Sequence, residues 1–119
     1  MDTTIRKPMP LEEVMKIIRT KNKGYRSVEN DRCAYRANDG NCCLVGAFIP
    51  DDKYKTSMER KSAYQVITGY DLDEYMPFDS TTMHRIQLFH DARISKSLEG
   101  EEFYKTIENF LKTTIYKDN

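Results

Sequence analysis

The sequence predicts an α+β fold: a single domain spanning 1–119, with one β-hairpin packed against about four helices in the order α-β-β-α-α-α. Three observations predict it. Helix signals, either apolar spacing or end caps, recur in four stretches; two β-like runs flank the turn-forming Asn38-Asp39-Gly40; and no repeat, low-complexity tract or linker divides the 119 residues.

A chain of this length can bury a core without disulfide or metal staples. Its apolar fraction of 39% and charged fraction of 32% predict a modest core under a heavily charged surface. Lys plus Arg balance Asp plus Glu at 19 each, so the basic excess of a nucleic-acid binder and the acidic excess of a DNA mimic are both absent. Arg19, Lys21, Lys23 and Arg26 make a local basic group, read as a solvated helix end. The opening "MDTTIRKPMP" holds no apolar run, so no secretory signal is expected, and no window reaches the length of a membrane span. A cytoplasmic location is the expectation. Three cysteines in a reducing compartment are expected to be free thiols.

Residues 10–21 read as a helix. Pro10 suits its first turn, Glu12 and Glu13 its positive end, Arg19 and Lys21 its other end. Leu11, Val14, Met15 and Ile18 form one apolar face, and Gly24 follows as a stop. Residues 32–36 and 42–49 are β-like. A three-residue loop, Asn38 to Gly40, pairs Ala37 with Asn41, Tyr35 with Cys43 and Cys33 with Val45; a two-residue Asp-Gly turn would shift that register. In the first register Cys33, Tyr35, Cys43 and Val45 share one face. Pro50 ends the second strand. Capping-box patterns at 56–59 and 62–65 open a helix that Gly69 closes. An acidic, aromatic loop occupies 70–79. A helix capped by Asp79 or Ser80 runs to about Ile94, with Met83, Ile86, Phe89 and His90 inward, and a last helix near 101–116 carries Phe103, Ile107, Phe110, Leu111 and Ile115 on one stripe.

Cys33, Tyr35, Arg36, Gly40, Cys43, Val45, Gly46, Ile49, Pro50, Asp51, Tyr54 and Glu59, followed by Leu88, His90 and Asp91, compose a pattern C-x-Y-R…G-x-x-C-x-V-G-x-x-I-P-D-x-x-Y…H-D. Across about residues 32–91 it resembles a family of small, largely uncharacterised proteins of tailed phages and prophages. The resemblance implies a phage-encoded accessory protein that binds a host or phage protein, as a host-takeover or anti-defence inhibitor in the cytoplasm of an infected bacterium. It implies no defined catalytic activity or cofactor. Cys42 stands where the family often has a polar residue, which gives that thiol the least functional weight.

Three chemistries compete for the cysteines. Cys33, Cys43, His90 and Asp51 are ligand types for zinc, but no close C-x-x-C or H-x-x-x-H pair accompanies them, so no metal is expected. Cys43 or Cys33, with His90 and Asp91, could form a thiol nucleophile, its base and an orienting acid, which is the alternative reading as an enzyme centred on Cys33, Cys43 and His90. Neighbours on a helix point about 100° apart, which places Asp91 poorly to orient His90. The third reading is packed, inert thiols, and the expectation is not an enzyme. Arg36 is expected to pair with Glu59 or Asp51, anchoring the Ile49–Asp52 turn, or else to meet a phosphate or a partner's carboxylate. Gly46 marks a bulge or a close approach. Walker, GxGxxG and HExxH motifs are absent. For partner binding, Tyr70, Asp73, Tyr75, Met76 and Phe78 form the candidate patch, aromatic with an acidic rim. A small-ligand sponge with a pocket between hairpin and helices is a further alternative.

Overall fold

The computed structural model describes residues 9–29, 32–92 and 97–116, the side chains of Glu29, Arg32, Cys33 and Ala92 excepted. Helix α1 spans Leu11–Lys21, with Pro10 at its N-cap, acidic residues in the first turn and basic ones in the last, and it buries Val14, Met15 and Ile18. It stops at Asn22, whose side chain is buried. The Asn22 amide donates to the carbonyls of Cys42 (2.6 Å) and Tyr25 (3.1 Å), while its oxygen accepts from Gly24 N (2.7 Å). Gly24 has φ 94°, and a Cβ there would press on the backbone of Gly100. That close approach brings the end of α1 against the start of the last helix.

Helix α2 spans Ala63–Gly69 and opens with a complete capping box: Ser62 Oγ accepts from Gln65 N, and the Gln65 side chain accepts from Ser62 N. The other candidate box, at 56–59, is a single 3₁₀ turn, Thr56–Met58. Helix α3 spans Ser80–Ala92, and Asp79 caps it by accepting from Thr82 N at 2.8 Å. Helix α4 spans Glu101–Phe110 and continues into a π-turn, Leu111–Ile115. Its stripe is the expected one: Phe103, Ile107 and Leu111 are buried, with Phe110 and Ile115 packed at the margin.

The α+β reading is corrected. Among the described residues the fold is four helices, and extended pairing is confined to β1 (Val28–Glu29) with β2 (Arg32–Cys33) and one bridge, Arg36–Cys42. The expected three-residue loop is present: Ala37 N donates to Asn41 O (2.9 Å), Gly40 N to Ala37 O (3.0 Å), and Gly40 has φ 90°. The ladder ends one residue pair beyond it. Its next rung would join Tyr35 N to Cys43 O, but Tyr35 N donates to Glu59 instead, and Cys43 O accepts from Ala47 N (2.9 Å). The chain after Cys43 therefore turns helically, and Gly46–Phe48 is a 3₁₀ turn. Cys33 pairs with Val28 rather than with Val45.

The reason lies in burial. Residues 42–49, "CLVGAFI" with Cys42 before them, are buried without exception. A run enclosed on every side has no polar alternation to hold a strand's register, and its periodicity does not separate strand from helix. Gly46 is required by close approach: a Cβ there would run into the carbonyl oxygen of Tyr35. No described helix is long and apolar enough to cross a membrane.

Candidate functional site

The residues of the 33–59 motif converge on one carboxylate. Glu59 accepts the backbone N–H of Tyr35 on one oxygen and of Arg36 on the other, at 3.0 Å each, and the Tyr54 hydroxyl at 2.6 Å. Burial and this carboxylate push Tyr54 well above the usual phenol range. Arg36 does not pair with Glu59 through its guanidinium. It reaches Asp51 (3.0 Å) and the Ile49 carbonyl (2.7 Å) and lies over the Tyr54 ring, so it anchors the Ile49–Asp52 turn. Pro50 O begins that turn by accepting from Lys53 and Tyr54. These contacts give Tyr35, Arg36, Gly46, Asp51, Tyr54 and Glu59 a structural role.

Three of the four basic residues of 19–26 are engaged as well. Arg19 makes a two-pronged bond to Glu101 at 2.8 Å per prong, Lys21 lies 3.8 Å from Asp51, and Arg26 donates to the Asp91 carbonyl at 2.8 Å.

Cys43 and His90 are each 0% exposed. The Cys43 sulfur accepts from Gly46 N at 3.3 Å. Cys42 is also buried, and desolvation pushes its thiol up, away from the thiolate form. The Cys33 side chain, and with it the Cys33–Cys43–His90 constellation, lies outside the described residues. Among those described, no three His, Cys, Asp or Glu side chains gather to hold a metal ion.

The expectation about Asp91 is overturned. His90 Nδ1 lies 2.9 Å from Asp91 Oδ1. A carboxylate only accepts, so Nδ1 carries the proton. Gln87, one turn earlier, makes this possible: its Nε2 donates to the same Asp91 oxygen at 2.9 Å and draws the carboxylate back along the helix, while its Oε1 accepts the buried Val45 N at 3.1 Å. The cluster Gln87–His90–Asp91 thus ties α3 to the turn that replaced the second strand.

The 70–79 loop packs inward. Met76 is 2% exposed, in the core, and so contributes nothing to a surface patch. Tyr70 and Tyr75 are half-buried against the core, the Tyr70 hydroxyl bonding Ser57 at 2.7 Å. Phe78 meets Tyr116 edge-on at 5.6 Å. Asp73 is exposed, on a 3₁₀ turn (Asp73–Tyr75). The acidic rim is on the surface, while the aromatic centre is half or wholly covered.

A cleft of about 210 Å³ opens instead between α2 and α3. Its floor is the face of α3 bearing His84, Gln87, Leu88 and Asp91, spaced i, i+3, i+4, i+7. The opposite wall is the segment Arg60–Ala63, with Tyr35 behind it. Tyr35 donates its hydroxyl to Lys61 O at 2.6 Å, Lys61 N bonds Met58 O and Glu59 holds the hairpin stem, so both sides of Arg60 are anchored. Arg60 itself has φ 73°, a conformation that costs an L-residue roughly 1–2 kcal/mol. Leu88 stands 50% exposed at this cleft. Arg60, Lys61, His84 and Gln87 were not among the sequence candidates. The readable signal was the polar stripe of α3 beside its apolar Met83–Ile86–His90 stripe.

Compared with known protein families, characterised proteins and solved structures, the chain shows no match.

Proposed function

We propose that the domain acts by binding another protein, through the face where α2 and α3 meet. The carrying observation is Leu88: half its surface is open to solvent, at the edge of a cleft whose floor is immobilised by the Gln87–Asp91 contacts. An exposed large aliphatic side chain over a pre-ordered polar floor suits a contact anchor. In keeping with the sequence resemblance, the partner would be a host or phage protein. The competing enzyme reading has the His90–Asp91 bond in its favour, but Cys43 has no exposed surface for a substrate to reach. The α2–α3 cleft lies below the 300 Å³ or so at which small-molecule sites begin, so it is too small to hold a nucleotide-sized ligand.

A photo-crosslinking residue at position 88, compared with one at the exposed Thr113, tests this in cells that contain the natural partner. Binding predicts one protein captured from position 88 and not from 113, and displaced by excess unlabelled domain. Capture of nothing, or of the same mixture from both positions, overturns it.

A further inference from the structure

We propose that the α2–α3 cleft is a pocket for one carboxylate side chain of the partner, an acidic residue flanked by aliphatic ones in an exposed peptide segment. This rests on the protein-binding reading and specifies its chemistry.

Arg60 and Lys61 line the cleft, both are exposed, and among the described residues neither forms an ion pair. Of the other cations, Arg19 pairs with Glu101, and Lys21 and Arg36 pair with Asp51. His84 also lines the cleft. These groups suit an anion. Asp91, also in the lining, limits its charge: beside a fixed carboxylate, a monoanion is tolerated better than a phosphate dianion. The cleft volume of about 210 Å³ is on the scale of a single side chain. Leu88 beside it offers aliphatic contact to the residues flanking that side chain.

Arg60 also carries backbone strain. Glycine or asparagine would occupy φ 73° with less strain, yet an arginine stands there, held between two anchors with its side chain along the cleft. That strain at the cleft is the kind of cost that functional positions carry.

The test uses amide chemical shifts of the whole domain titrated with three probes: a blocked leucine–glutamate–leucine tripeptide, its glutamine counterpart, and inorganic phosphate. The expected result is saturable shifts at Arg60, Lys61 and Gln87 with the glutamate peptide, with a Kd on the order of 1 mM or below, and weaker binding by about tenfold or more for the glutamine peptide. Arg60→Gly should melt at or above the parent temperature and lose the glutamate-peptide response; Arg60→Asn gives the same reading should the glycine chain fold poorly. Equal binding of both peptides, no response to either, or a response to phosphate alone overturns the pocket. So does undiminished binding by Arg60→Gly. If the position-88 crosslink to a partner persists undiminished in Arg60→Gly, the protein-binding reading stands and the carboxylate pocket falls.

Discussion

Gly46 lies so close beneath Tyr35 that any Cβ would overlap the Tyr35 carbonyl oxygen. The obstacle is backbone, which cannot rotate away as a side chain would. Gly46→Ala is therefore expected to destabilise the fold by about 1–3 kcal/mol, the range for inserting a methyl into a filled interior. A urea titration checks this through a lower midpoint at unchanged slope; a midpoint equal to the parent's would mean that the two segments are not in contact.

Glu59 and Asp51 should separate sharply. Glu59→Gln keeps one acceptor where the carboxylate served two backbone N–H groups and a phenol, so about 2–3 kcal/mol should be lost. Asp51 pairs with Arg36 and Lys21 from a side chain 76% exposed. Screening by solvent reduces such pairs, and Asp51→Ala should cost about 1 kcal/mol or less. Thermal melts of the two variants would show the order; a reversed order would dismiss the clamp.

Gln87 supplies the acceptor for the buried Val45 N–H. Replacing it with Leu fills similar volume but leaves that donor without its acceptor, at a cost of about 1–3 kcal/mol. Native-state hydrogen exchange gives a local readout: the Val45 amide should exchange faster by more than the global loss accounts for, while amides of α4 follow the global change.

The Tyr25 hydroxyl donates to Asp39 at 2.6 Å, and this bond, with the Asn41 N–H, holds the Asp39 carboxyl below the usual carboxylate range. A group depressed on folding adds stability that is fully present above its unfolded value, about 4, and is lost as pH falls through the lower folded value. A carboxyl-detected NMR titration of Tyr25→Phe should move Asp39 upward towards the ordinary value, and narrow the acid arm of the stability profile. An unchanged Asp39 titration would show that the phenol does not hold it.

The helices were legible because their causes are local. The Pro10 start and 3.6-residue spacing of α1, the Ser62–Gln65 box of α2, the Asp79 cap of α3 and the Phe103–Ile107–Leu111 stripe of α4 each lie within a few turns of chain, as does the loop closed by Ala37 and Asn41. The anchoring of the Ile49–Asp52 turn by Arg36 was legible too, because a planar guanidinium beside an acidic turn has few other uses. What followed Cys43 was not. Its course depends on Glu59, which takes the N–H groups of Tyr35 and Arg36 from a point more than twenty residues away, and on an enclosure so complete that polarity leaves no pattern. The His90–Asp91 bond had a local cause that ideal helix angles concealed, namely Gln87 drawing the carboxylate back. The cleft needed α2 and α3 to pack before Arg60, Lys61, His84 and Leu88 became neighbours, and only the tertiary fold brings together residues separated by a chain that turns back on itself.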